Sequence, residues 1–225
     1  MAKNKLIKFA ELDTFPNVLQ PKYQHISENY YLRGKWSRAF FGNDNPVVLE
    51  IGCGKGEYTV GLARIYPDVN FVGIDLKGDR LWRGAKTAIE NNIKNVAFLR
   101  VEVEKLEYFF APLEVREIWI TFPEPQLQKS RIKKRFTSDR FLNIYKKLLR
   151  ADGIVHLKTD NSALFEFSVG NVEYFGCNIK VVNRDIHGKP DNVDDILVDI
   201  KTYYEQMFIK EGIPIKYLRF SMPQS

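Results

Sequence analysis

The chain has 225 residues, 44% of them hydrophobic, which suits a sizeable core and either one α/β domain with an appendage or two small domains, between which length alone does not choose. Its two cysteines, Cys53 and Cys177, lie far apart without metal-type spacing, so neither a disulfide scaffold nor a metal site is indicated, and the absence of an 18-residue apolar run points to a cytoplasmic protein without a membrane span. A formal charge of +6, from 34 Lys and Arg against 28 Asp and Glu, favours a polyanionic partner, most simply nucleic acid.

Residues 1–33 read as a partly mobile N-terminal arm: the first 29 are polar, punctuated by Pro16 and Pro21, and show no clear period. A single domain over 34–225 follows. Residues 30–41 (Y-Y-L-R-G-K-W-S-R-A-F-F) carry basic and aromatic side chains whose rings suit a helix packed ahead of the sheet. The turn signal G-N-D-N-P at 42–46 delivers the chain to a first strand, V-V-L-E-I, which ends in glycines at 52, 54 and 56. A helix over 57–66 is stopped by Pro67. Strand two, 69–74, ends in Asp75; a basic amphipathic helix spans 79–91; strand three, 96–101, ends in Glu102. Strand four, 115–122, is closed by Pro123-Glu124-Pro125. A polar basic loop over 126–135, a helix over 138–150 and strand five over 153–159, with Asp160 at its tip, come next. The last third reads as strand six (178–186), an acidic loop (190–195), a helix (202–210) and a final strand (215–220). Alternation of strands with helices predicts a doubly wound, mostly parallel sheet. In such a sheet the glycine turn, Asp75, Glu102, Glu124 and Asp160 share the edge at the carboxyl ends of the strands, where ligands bind.

The glycine turn also discriminates between cofactors. A dinucleotide fingerprint is G-x-G-x-x-G, but here the third glycine comes one residue early and Glu57 takes the last position. Glu50, just before the first glycine, would repel a pyrophosphate. S-adenosylmethionine (SAM) brings a sulfonium, an ammonium and a ribose instead, and these tolerate carboxylates. E-x-G-x-G-x-G followed by an acid at the next strand end resembles the first two motifs of the class I SAM-dependent methyltransferases, whose Rossmann-like sheet has seven strands. Cys53, inside the turn, reads as a small packing residue.

The segments G-K-W (34–36), F-G-N-D-N-P (41–46), L-E-I-G-C-G-K-G, F-P-E-P, H-L-K-T-D (156–160) and T-Y-Y-E (202–205) together resemble the bacterial tRNA (guanine-N7-)-methyltransferase family. The resemblance implies methyl transfer from SAM to N7 of a guanosine in the tRNA variable loop. It implies cofactor contacts from Glu50, Gly52, Gly54, Gly56, Asp75, Glu102 and Glu124, with Glu124 the catalytic acid. Substrate contacts are implied for Gln128, Asp160, Thr202, Tyr203, Tyr204 and Glu205. The chain departs from the family's P-D-P-W and from its lysine at the position of Gln128, for which Lys129 could substitute. On the residues alone, Thr202-x-x-Glu205 is equally a helix capping box and Asp160 equally a helix cap. Another RNA base such as adenine N6, or a noncatalytic RNA-binding role, stays open at this point. The basic run 129–135, directly beyond Glu124, reads as a phosphate-tracking surface.

Overall fold

The computed structural model describes residues 2–22, 30–188 and 194–223. Residues 1 and 23–29 of the arm, and most of the acidic loop expected at 190–195, lie outside the described residues. In chain order the elements are α1 (Ala2–Leu12), β1 (Val18–Leu19), β2 (Val47–Ile51), α2 (Glu57–Ile65), β3 (Asn70–Ile74), α3 (Gly78–Glu90), β4 (Val96–Leu99), α4 (Leu106–Phe109), β5 (Val115–Thr121), α5 (Asp139–Leu148), β6 (Leu149–Thr159), α6 (Ser162–Tyr174), β7 (Asn178–Asn183), α7 (Ile196–Asp199), α8 (Tyr203–Lys210) and β8 (Lys216–Ser221). The strands form one sheet in the order β1-β4-β3-β2-β5-β6-β8-β7. Every pairing is parallel except those of β8 with β6 and β7.

Every residue of β2, β3 and β4 is buried, because helices cover both faces of the sheet and leave no solvent side on which to alternate polar residues. Buried stripes on the helices meet them: Leu81, Ala85 and Ala88 on α3, and Phe141, Leu142, Tyr145 and Leu148 on α5. As the aromatic spacing suggested, Trp36 packs ahead of the sheet. It stacks on Phe110 with centroids 5.0 Å apart, and its indole N–H donates to the Phe109 carbonyl at 2.8 Å.

The sheet has eight strands where seven were expected. The extra one is β1, whose backbone is tied to β4 by bonds from Phe98 N to Asn17 O (2.8 Å) and from Arg100 N to Leu19 O (2.9 Å). Two residues between Pro16 and Pro21 are too few to show a period. Ahead of it, the stretch that showed no period forms α1, which lies against α3. Leu12 is buried, Phe9 fills the space beside Gly78, and the Trp82 indole donates to Glu11 at 2.8 Å.

Candidate active site

β2 lies between β3 and β5: from it the chain winds outward through β3 and β4, then returns to the other side through β5 and β6. A crevice forms where the winding reverses, at the carboxyl ends of β2 and β5. The glycine turn sits there. Gly52, Gly54 and Gly56 have φ of +71°, +55° and +68°, a left-handed backbone that other residues rarely adopt. A side chain at Gly56 would also strike Phe98 at 2.6 Å, whereas one at Gly54 would meet nothing within 4 Å. Gly56 therefore serves close packing, and Gly54 leaves the main chain open to a ligand. The pocket above the turn is lined by Glu50, Gly52, Gly54, Phe122, Thr202 and Tyr204, together with Arg80.

Glu50 is 3% exposed. Its carboxylate accepts from the Thr59 backbone N–H at 2.7 Å and from the Thr59 and Thr121 hydroxyls. Burial pushes its carboxyl up to about 7, against the pull of the threonine bonds, and Asp75 adds to the upward push. Asp75 accepts from Gly54 N at 3.0 Å and from Lys77 N at 2.8 Å, so it stands beside the open glycine at the end of β3. An open backbone approach beside one partly exposed and one buried carboxylate suits a ligand without phosphates, as SAM is, and disfavours a pyrophosphate. Burial also raises the Cys53 thiol well above its ordinary value and keeps it neutral, in keeping with a packing residue.

Glu124 is exposed on the turn after β5. The turn is bounded by two left-handed residues that are not glycine, Phe122 and Gln126, each with φ of +48°. Phe122 N donates to Lys158 O at 2.8 Å and joins the turn to β6. At the far end Arg135 Nε donates to Pro125 O at 3.1 Å. Arg135 is only 7% exposed, so the run read as phosphate-tracking is not uniform: Lys133 and Lys134 face solvent, and Arg135 turns inward.

The other residues singled out from the sequence distribute unevenly. Glu102, beyond β4, is exposed and pairs with Lys105 at 3.1 Å. Gln128 is exposed and starts a short 3-10 segment, its carbonyl accepting from Arg131 N. Asp160 stands half-buried at the tip of β6, which raises its carboxyl, and its carbonyl accepts from Lys216 Nζ at 2.9 Å. Asp160 is not the helix cap: Asn161 fills that position in α6, its side chain accepting from Leu164 N at 2.9 Å. Thr202 caps α8, accepting from Glu205 N at 3.2 Å. Tyr203 and Tyr204 are exposed, Tyr204 on the pocket and Tyr203 N donating to Glu57 at 3.2 Å.

Glu205 does not reach back to close a capping box. It is wholly buried, its carboxylate 2.8 Å from both Lys158 Nζ and His187 Nε2. Its side chain therefore faces the protein interior, tying α8 to β6. Among the supporting residues, Thr59, Thr121, Arg80 and His187 carried no sequence signal; Arg135 was read only as part of the basic run, and Lys158 stood out as a charge within a strand otherwise patterned for full burial. A larger cavity of about 490 Å³ opens lower on the sheet, among Val48, Phe71, Trp119, His156 and Arg219, and contains none of the residues singled out for the site.

A family model described as "Putative methyltransferase" matches residues 44–218. Among solved structures, the 16S rRNA methyltransferase KamB superposes with a TM-score of 0.59 at 15% identity, covering 80% of this chain and 89% of that one. An antibiotic-related methyltransferase superposes with a TM-score of 0.57 at 19% identity, over 80% and 89% of the two chains. Both share the fold. The tRNA (guanine-N(7)-)-methyltransferase of Christiangramia forsetii is 49% identical over 98% of this chain and 99% of its own. That of Bacteroides thetaiotaomicron is 47% identical over 100% of this chain and 88% of its own. With that identity running from end to end, and with the glycine turn and its carboxylates at the fold's switch point, the chain belongs to the tRNA (guanine-N(7)-)-methyltransferase family.

Proposed function

We propose that the protein is a SAM-dependent tRNA (guanine-N7-)-methyltransferase of the cytoplasm, acting on a guanosine of the tRNA variable loop. The observation that carries this reading is the 49% identity to a relative of that name across 98% of the chain. The open turn at Gly54 and the neighbouring Asp75 support the cofactor assignment. No metal-binding group of His, Cys, Asp and Glu occurs among the described residues, and none of their helices is long and apolar enough to cross a membrane.

Bound SAM supplies an electrophilic methyl group. Glu50, Gly52, Gly54, Gly56, Asp75, Glu102 and Glu124 would hold that cofactor. Guanine N7 already presents a lone pair in the ring plane, so the protein needs no base to activate it, and most of the rate gain comes from alignment. Glu124, on the cofactor's side of the base, stabilises the positive charge that develops on the imidazole ring. Asp160, Gln128 and the start of α8, Thr202 to Tyr204, line the approach of the tRNA, and Glu205 fixes α8 from beneath. Replacement of Glu124 by Ala abolishes methylation while leaving SAM binding measurable by calorimetry. Mass spectrometry of nucleosides from treated tRNA finds 7-methylguanosine; N6-methyladenosine in its place would refute the assignment.

A further inference from the structure

We infer that Arg135 is a positioning residue for Glu124, holding the turn that presents this acid. The inference rests on the reading of Glu124 given above. Pro123 and Pro125 lack N–H groups, so the turn has little of its own with which to hold a shape, and its ends sit in left-handed backbone at Phe122 and Gln126. One end is fastened to β6 by Phe122 N. Among the described residues, the other is held by the side chain of Arg135. Arg135 Nε donates to Pro125 O at 3.1 Å, and Nη2 reaches Gln126 O at 3.4 Å. The guanidinium lies 4.4 Å from the centroid of the Phe167 ring on α6. The Arg135 carbonyl accepts from Ser138 N at 2.9 Å, which seats the residue at the start of α5. A planar fork that addresses two neighbouring carbonyls while stacking on a ring is a task for arginine that lysine does not reproduce. At 7% exposure the same fork is withdrawn from phosphates, unlike Lys133 and Lys134 beside it.

The test compares Arg135→Ala, Arg135→Lys and Glu124→Ala in single-turnover methylation of tRNA, with SAM and tRNA affinities measured alongside. Displacing the turn by about an ångström lowers the rate of Arg135→Ala about 100-fold, while its SAM affinity and the salt dependence of its tRNA affinity stay at wild-type values. Arg135→Lys behaves like the alanine variant, and added guanidinium ion restores part of the rate in Arg135→Ala, a rescue that general destabilisation would not give. Should Arg135→Ala melt below the assay temperature, Arg135→Lys carries the comparison, and a wild-type rate there overturns the inference. A wild-type rate in Arg135→Ala with loss in Glu124→Ala overturns it while sparing the role of Glu124. Loss in Arg135→Ala with wild-type turnover in Glu124→Ala overturns both. A reduced salt dependence with unchanged rate identifies Arg135 as a phosphate contact and likewise overturns the inference.

Discussion

Glu50 carries a pH dependence that its neighbours explain. Its carboxyl is raised from 4.5 to about 7 in the folded protein by burial. A raised acid favours the fold while protonated, so this contribution is complete below 4.5 and is lost as pH climbs through 7. Glu50→Gln is neutral throughout: its cofactor-free melting matches wild type near pH 4.5 and exceeds it at pH 8, by on the order of 3 kcal/mol. A cation bound nearby favours the carboxylate, so wild-type SAM affinity rises through neutral pH, and calorimetry finds it flat in the glutamine variant. A wild-type melting profile parallel to that of Glu50→Gln would remove the titration from Glu50. At this scale the sequence was a good guide wherever a residue's task is set by its own backbone: Gly52, Gly54 and Gly56 all adopt the left-handed conformation that only glycine takes readily. It was a poor guide where the task depends on a distant partner. Glu205 stands in a capping pattern, yet its side chain answers to Lys158 and His187, 47 and 18 positions away in the chain.

Between elements, that same carboxylate is the link that sets α8 against β6. Lys158 is fully buried, and burial pushes its ammonium below its ordinary value while Glu205 pulls it back up. Lys158 also donates to the carbonyls of Leu197 and Ile200, so the segment around α7 hangs on the same side chain. Lys158→Met leaves a buried carboxylate short of its main partner and destabilises the protein by about 3–5 kcal/mol in urea unfolding. Lys158→Met combined with Glu205→Leu recovers most of that loss, because the pair is then replaced by apolar volume. Additive losses in the double variant would show that the two groups do not act on each other. Strands β2 to β5 and helices α2, α3 and α5 were legible from period and glycine or proline punctuation. α6 was not read beyond its first residue, since Phe165, Phe167, Val169 and Val172 spread apolar side chains around the helix and blur the stripe. The segment from Trp36 to Phe41 was legible as packing and not as a π-type helix.

Across the whole molecule, a net charge of +6 becomes a binding property only where cations remain in solvent. Lys133 and Lys134 do, on the short 3-10 segment beyond the Glu124 turn. Their joint replacement by Ala weakens tRNA binding and flattens the slope of log affinity against log salt by about 1–2 units. An unaltered slope would place the tRNA backbone elsewhere. The surface charge was legible in composition, whereas its partition into outward and inward groups required the fold. The short β1 has a consequence for how the chain is made. It precedes its hydrogen-bonding neighbour β4 by most of the first half of the polypeptide, so on the ribosome it emerges long before there is anything for it to dock against. The sheet can grow outward from β2 through β3 to β4, and the early-synthesised segment then closes over the exposed rim as a late step, shielding it from pairing with a neighbouring nascent chain.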